Sequence, residues 1–235
     1  MKKITFLTFI LMLPSLYLIG QNFEFYICPG ICHSNMTELK GFQSDRLRAM
    51  GVPGEITDNF PATLCFTGEP RLKFNKFSVG IQYSYASTGS RVSYSDYSGV
   101  LNLDLISSSH KIGPSLAFSA YNFPHMNINL DINTPLIFTK VTKKDYKEIN
   151  GESTSIKSDY YSRSIGIQPA AEITYSLSFI IIGLRAGYLL DTGAALYEKH
   201  NRGVYLRNMT SSIVHSNWTG YKIDFILGFL LSKYK

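Results

Sequence analysis

Apolar and polar side chains alternate with a two-residue period along most of this chain, and this pattern constrains its fold more than any other feature. Successive side chains of a β-strand point to opposite faces of a sheet, so the alternation indicates strands whose two faces meet different surroundings. Five runs alternate cleanly, at residues 77–86, 126–132, 164–175, 180–190 and 221–231. Three further runs alternate less regularly, at residues 22–27, 63–74 and 111–119. Together the runs predict eight strands.

The links between the predicted strands are alternately short and long. The short links lie at residues 71–75, 121–125 and 176–177, and the long links at 29–60, 87–99, 142–159 and 192–217. The second long link is expected to be partly a hairpin extension, because residues 92–105 still carry strand-forming side chains. The first contains a predicted helix at about residues 37–50, ended by Gly51 and Pro53. Short turns on one side and long loops on the other are typical of a transmembrane barrel with both termini periplasmic.

The first twenty residues have the organisation of a secretory signal peptide. Lys2 and Lys3 form a charged start, residues 4–13 are apolar, and Gly20 offers a small residue at the cleavage point. The alternative is an uncleaved membrane anchor. The prediction is a cleaved signal peptide at residues 1–20, followed by one outer-membrane barrel domain at residues 21–235.

The apolar face of the predicted strands suits lipid better than it suits a soluble core. It carries no charged residue in the five clean runs, and several runs reach the roughly 9 to 11 residues that a tilted spanning strand needs. Charged residues make up only 17% of the chain. Aromatic side chains gather at both strand ends, as expected of membrane-interface girdles. They are Phe74, Phe77, Tyr121, Phe123, Tyr175 and Phe179 near the short turns, and Tyr85, Phe138, Tyr188, Trp218 and Tyr221 near the long loops.

The opposite face of the strands is polar and carries charges of both signs. The interior of an eight-stranded barrel is only wide enough to be filled by side chains, so a plugged interior is expected, not an open pore. Buried charges must be paired or solvated. We therefore expect a lumenal ion-pair network with some water. Its predicted members are Glu24, Glu69, Arg71, Lys111, Asp131, Glu172, Arg185, Lys222 and Asp224.

Three cysteines, Cys28, Cys32 and Cys65, stand close to the first long link. Export would place them in an oxidising compartment, where disulfides persist. Cys28 and Cys65 lie near the outer ends of adjacent predicted strands and both face inward, which predicts a Cys28–Cys65 bridge. Cys32 is then free, or replaces Cys28 in the bridge, and the alternative is that no bridge forms. A metal site at Cys28, Cys32 and His33 is disfavoured, because zinc needs about four ligands.

The chain resembles the small porin-like outer-membrane β-barrel proteins common in Bacteroidota-type bacteria. The residues that carry the resemblance are the end of the leader (18–21), the run 77–85, the stretch 184–189 and the segment 217–221. The resemblance implies an all-β, eight-stranded antiparallel up-and-down transmembrane barrel with one short extracellular loop helix, in the bacterial outer membrane. It implies no particular activity. Such barrels normally end in an aromatic residue, whereas here Tyr234 is followed by Lys235.

No residue pattern points to a catalytic, cofactor or metal site. The five histidines are scattered over loops and strand ends: His33, His110, His125, His200 and His215. The leading hypothesis is therefore a structural or surface-interaction barrel without catalysis. The alternatives are an outer-membrane lipid-modifying enzyme, a small-solute channel, and a soluble secreted ligand-binding barrel.

The expected partners follow from this location. They are outer-membrane lipids and lipopolysaccharide, with the barrel-assembly machinery and periplasmic chaperones acting during biogenesis. The phosphates of lipopolysaccharide could meet the basic residues of the third long link, Lys140, Lys143, Lys144 and Lys147. A net charge of +6 without a dense basic stripe gives no support to a nucleic-acid partner. A monomer is expected.

Overall fold

Long antiparallel strands dominate the structure. The computed structural model describes residues 22–231 apart from 52, 98, 200 and 202, so the predicted signal peptide (1–20), His200 and the last four residues lie outside the described residues. The elements are β1 (Asn22–Ser34), α1 (Thr37–Ala49), β2 (Glu55–Asn59), β3 (Thr63–Phe74), β4 (Phe77–Asp96), β5 (Gly99–Asn122), β6 (Met126–Asn133), β7 (Leu136–Ile149), β8 (Glu152–Leu177), β9 (Ile180–Asp191), β10 (Ala194–Ala195), β11 (Tyr197–Glu198), β12 (His215–Ser216) and β13 (Gly220–Leu231).

Antiparallel pairings connect the long strands in a circuit that returns to its start. β1 pairs with β3, β3 with β4, and β4 with β5. β5 pairs with β6 along one part and with β7 along another, and both of these pair with β8. β8 pairs with β9, β9 with β13, and β13 with β1. The all-β antiparallel class expected from the alternation is therefore confirmed.

β6 and β7 are two halves of one position in this circuit. The break between them falls at Thr134 and Pro135, where proline lacks the amide hydrogen that a continuous ladder would use. Backbone hydrogen bonds still connect residues 134 and 135 to the neighbouring strands. The Thr134 amide donates to the Pro114 carbonyl (3.2 Å), and the Gly166 amide donates to the Pro135 carbonyl (2.9 Å). With the halves counted together, the described residues form eight positions.

The prediction of a long loop at residues 142–159 is wrong. β7 and β8 remain paired up to Ile149 and Glu152, so this segment is the end of a hairpin. Asn150 and Gly151 form its turn with φ of 52° and 82°. An Asn-Gly pair with two positive φ angles is typical of the tight hairpin turn that matches strand twist. The link at residues 87–99 is paired from Ser87 to Asp96 against β5, which confirms the expected hairpin extension.

Burial alternates along each strand of the circuit, but its sense is opposite to that of a soluble protein. On β13, Lys222 and Asp224 are buried, while Tyr221, Ile223 and Phe225 between and beside them are about half exposed. The same holds on β8, where Glu172 is fully buried and Ile173 is 52% exposed. The polar face therefore points into the circuit and the apolar face points out. No helix in the described part of the chain has the length and apolar character needed to cross a membrane.

Candidate functional site

Five charged side chains from four strands meet inside the circuit, and we call them the charged layer. They are Glu69 and Arg71 on β3, Asp131 on β6, Glu172 on β8 and Arg185 on β9, each at most 2% exposed. Arg71 Nε lies 2.7 Å from Glu69 Oε1, and its Nη2 lies 2.5 Å from Asp131 Oδ2. Its Nη1 is 3.2 Å from Glu172 Oε1. Arg185 Nη2 lies 2.9 Å from a carboxylate oxygen of both Glu69 and Glu172.

Neutral side chains complete the charged layer. The Ser115 hydroxyl donates to Glu69 Oε1 at 2.5 Å, and Asn129 Nδ2 donates to Glu172 Oε1 at 2.9 Å. Asp131 Oδ1 has no hydrogen-bond partner among the described residues, which is where a buried water would bind. Three carboxylates thus share two guanidinium groups. A buried ion is tolerated when it is paired in this way, so the layer links four strands through their inward faces.

The other four residues predicted for the network are buried but lie outside this layer. Lys222 Nζ lies 3.0 Å from Asp224 Oδ2 and also contacts the Thr67 hydroxyl. Glu24 accepts a 2.7 Å hydrogen bond from the Tyr26 hydroxyl, and the Tyr26 ring lies 4.8 Å from the Arg71 guanidinium.

Lys111 makes no ion pair within the described part of the chain. Its ammonium instead lies 4.9 Å from the centre of the Trp218 ring. A cation over an aromatic face is favourable, especially away from water. The structure therefore divides the nine predicted residues into one network, one separate pair and two residues that contact aromatic side chains. Of these two, Glu24 also lies 3.9 Å from Lys73 Nζ.

Apolar side chains close one end of the circuit, above Lys111, and we call this end the mouth. The side chains that close it are Met36, Leu39, Phe42, Leu105 and Trp218. All five are buried, and Leu39 and Leu105 are fully so. Met36, Leu39 and Phe42 belong to α1 or its start, so the helix caps the interior and is not a solvated loop helix. Each Å2 of apolar surface that these side chains remove from water contributes about 25 cal/mol of stabilising free energy. This burial holds the helix in place.

The assignment of Trp218 to an outer aromatic girdle is wrong. Trp218 is only 1% exposed and points into the mouth, where its Nε1 donates to the Thr139 hydroxyl at 3.0 Å. It precedes β13 and lies outside the alternating run, so its direction could not be read from strand parity. The backbone amide of Trp218 is held by Asp191 Oδ2 at 2.8 Å.

Polar contacts also tie α1 to the hairpins around it. Gln43 Nε2 donates to the Leu103 carbonyl at 2.7 Å, from a side chain that is fully buried. Arg46 forms an ion pair with Asp145 on β7. Burial lowers the pKa of the Arg46 guanidinium, and the Asp145 carboxylate opposes this shift. Sequence periodicity gave no signal for Gln43 or for this ion pair, because both depend on where the helix is placed.

A groove of about 340 Å3 lies on the outer side of the mouth, between α1 and residues 208–215. Glu38 and His215 meet at its edge, where Glu38 Oε2 accepts hydrogen bonds from the His215 amide (2.6 Å) and lies 3.0 Å from His215 Nδ1. Both side chains are about half exposed. The contact anchors the helix start to the loop that precedes β13.

The three cysteines are buried free thiols, so the Cys28–Cys65 bridge is not formed in the structure. Register explains this result. Cys65 pairs with Gly30, which puts Cys28 and Cys32 at the two diagonal positions on β1. The cysteine that packs in the same buried cluster as Cys65 is Cys32, and strand parity alone could not choose between the two diagonals.

The histidines that the structure describes do not converge on a serine and an acid. His110 lies on the outward face with its Nδ1 2.8 Å from the Tyr83 hydroxyl, and His215 meets Glu38. Among the described residues, no serine hydroxyl is hydrogen-bonded to a histidine. Within the same residues, no three His, Cys, Asp or Glu side chains are grouped so that they could hold a metal ion.

No family model and no curated protein matches this chain. Several solved structures match it at low similarity, and three of them are covered over most of their length. Ail, the attachment invasion locus protein of Yersinia pestis, matches with TM-score 0.35 and 10% identity over 90% of this chain and 99% of that chain. Neisserial surface protein A (NspA) matches with TM-score 0.40 and 8% identity, covering 90% and 97%. The outer membrane protease OmpT from Escherichia coli matches with TM-score 0.30 and 10% identity, covering 92% and 98%. Scores this low carry no conclusion about family or activity.

Proposed function

We propose that this chain is an eight-stranded, porin-like transmembrane β-barrel of the bacterial outer membrane, with a plugged interior and no catalytic activity. Its outer hairpins then serve a structural or surface-interaction role. The observation that carries the proposal is the inverted burial: charged side chains fill the interior while leucine, isoleucine and phenylalanine cover the outside. In water such a surface would be an aggregation hazard, whereas in lipid it is the stable arrangement.

The height of the apolar surface supports a membrane-spanning position. On β8, outward apolar side chains extend from Ile165 to Leu177, each about half exposed. At about 3.3 Å per residue these twelve steps span roughly 40 Å along the strand. A tilt of about 40° reduces this to roughly 30 Å, which is the thickness of the hydrocarbon core of a bilayer.

The closed circuit of pairings supports the same conclusion. A lipid-exposed sheet edge would leave backbone amides unsatisfied, at several kcal/mol each. The pairing of β13 with β1 leaves no such edge between the first and last strands. Where the chain has a free edge, at β2, the strand lies beyond the apolar band and pairs with the outer part of β4.

Two barriers in series support a plugged interior. The charged layer fills the cross-section with paired side chains, and α1 covers the mouth. In planar bilayers we therefore expect no stable channel from the purified protein. The variant Leu39→Ala/Trp218→Ala opens the mouth but leaves the charged layer, so it is also expected not to conduct. Large, stable conductance steps from the unaltered protein would overturn the plugged barrel and favour the small-solute channel.

The proposed orientation places the long hairpins outside the cell and the short turns in the periplasm. Tyr97, at the tip of the β4–β5 hairpin, is fully exposed, and Phe179, at the β8–β9 turn, is 60% exposed. On intact cells, a membrane-impermeant maleimide is expected to label a Tyr97→Cys variant but not a Phe179→Cys variant. The three native thiols are buried and provide little background. The opposite labelling pattern would reverse the orientation, and equal labelling would argue against a spanning barrel.

The proposed partners are outer-membrane lipids and lipopolysaccharide, for a chain that remains a monomer. Lys144 and Lys157 lie directly opposite each other on β7 and β8, above the apolar band. Like charges in this position repel unless an anion lies between them. Arg163 is on the same outward face, where Phe138 packs beneath its guanidinium at 5.7 Å. Lys140, also on this face, is already paired with Asp159 at 2.9 Å. Lipid phosphates at the outer interface would satisfy Lys144, Lys157 and Arg163. The assembly machinery and chaperones remain proposed partners of biogenesis only.

A further inference from the structure

Three cysteines face the interior on two adjacent strands, and their positions are not equivalent. Cys65 on β3 pairs with Gly30 on β1, while Cys28 pairs with Thr67 and Cys32 with Thr63. Cys28 and Cys32 are therefore the two diagonal neighbours of Cys65. Diagonal neighbours on one face of a sheet are close enough for side chains to interact.

Only one of these diagonals joins two cysteines of the same buried cluster. Cys32 and Cys65 both pack in the apolar cluster at the mouth. Cys28 packs in a different cluster, with Tyr26, Ile181 and Ile226. The Cys65 sulfur also lies 3.8 Å from Asp224 Oδ1. Cys32 is thus the partner that the folded structure selects for Cys65.

We propose that Cys32 and Cys65 form a disulfide bridge when the protein is assembled in the cell envelope. The proposal rests on the proposed export, because disulfides persist only in an oxidising compartment. Both S–H bonds are broken and one S–S bond forms. Two electrons and two protons pass to the disulfide of an envelope thiol–disulfide oxidant, which is released as a dithiol. Because both sulfurs are at most 5% exposed in the closed circuit, the exchange precedes closure.

The bridge would close a loop that contains α1, the helix that covers the mouth. Residues 33–64 lie between the two cysteines and contain both α1 and β2. The helix begins at Thr37, shortly after Cys32, so the bridge fixes the point from which the helix enters the mouth. A cross-link restricts the unfolded chain more than the folded one, and the effect grows slowly with the length of the closed loop. The cysteines would therefore keep the mouth covered.

The chain offers a matched control for testing this proposal, because Cys28 is also buried and inward-facing. Protein from outer membranes is denatured in N-ethylmaleimide and weighed by mass spectrometry, with and without prior reduction. The unaltered chain is expected to take up one maleimide before reduction and three after it. The Cys28→Ser variant is expected to take up no maleimide before reduction and two after it. The Cys32→Ser and Cys65→Ser variants should each take up two in both conditions.

Two results would overturn the proposal: three maleimides on the unreduced protein, or a cross-linked peptide that joins Cys28 to Cys65. Thermal unfolding gives an independent measure. We expect the melting temperature of Cys32→Ser to fall by about 10 °C relative to Cys28→Ser, since a bridge over a loop of this length has a large effect. A missing bridge would not by itself refute the proposed outer-membrane location, because surface labelling of Tyr97→Cys tests that location independently of the bridge.

Discussion

Replacing Arg71 with methionine is expected to destabilise the folded barrel by about 3–5 kcal/mol, the range found when one partner of a buried ion pair is removed. Arg71 contacts three carboxylates, and it is 2% exposed. Without it, Glu69, Asp131 and Glu172 would share only Arg185, so uncompensated negative charge would remain buried. Arg71→Lys keeps one charge but cannot contact all three carboxylates, so an intermediate loss is expected.

The matched control for Arg71 is Arg91→Met. Arg91 also forms a two-point contact with a carboxylate, with its Nε 2.7 Å and its Nη2 2.9 Å from Asp104, but the side chain is 53% exposed. Exposed pairs contribute about 0–1 kcal/mol, so little change is expected. Urea unfolding of the reconstituted proteins gives both values. Equal losses for the two variants would show that the interior is open to water, contrary to a plugged barrel.

Replacing Leu184 with lysine is expected to cost about 2–4 kcal/mol, as for a lysine at the bilayer midplane on a barrel's lipid face. Leu184 is 60% exposed and lies near the middle of β9, in one outward row with Ile173 and Phe225. In a soluble protein an exposed leucine tolerates lysine within about 0.5 kcal/mol. This substitution therefore distinguishes lipid from water as the medium around the circuit.

The control for Leu184 has the same exposure but lies beyond the apolar band. Ile156 is also 60% exposed, on the part of β8 that extends past the mouth. Ile156→Lys is expected to leave the free energy of unfolding nearly unchanged. Unfolding in lipid vesicles by guanidinium chloride compares the two variants. A cost below about 1 kcal/mol for Leu184→Lys would contradict a spanning position for β9 and favour the soluble ligand-binding barrel.

Strand faces were predictable because the two-residue period is a local property. Each of Glu69, Arg71, Glu172 and Arg185 occupies the parity that the alternation assigned to the interior, and each is buried. The helix at Thr37–Ala49 was also predictable, because Gly51 and Pro53 end it. The full length of β7 and β8 was not predicted, although the Asn150–Gly151 pair is a sequence signal for a tight hairpin turn.

The particular contacts inside the circuit were not predictable. No periodicity governs the placement of Trp218 and Gln43 or the packing of Cys32 and Cys65 in one cluster, because these depend on how loops and strands meet in space. Strand parity predicted that Lys111 faces inward, but it could not predict that the Lys111 ammonium would lie over the Trp218 ring.

Side-chain alternation and link length are sufficient to predict the strand faces, the antiparallel order and which face is buried. They do not predict which charges pair, which cysteines share a cluster or what covers the mouth, and these became known from the three-dimensional structure. These outcomes depend on register between strands far apart in the chain, and a shift of one residue would turn every side chain to the other face. The apolar outer face thus follows from local alternation, whereas the contacts between interior side chains form only once β13 pairs with β1.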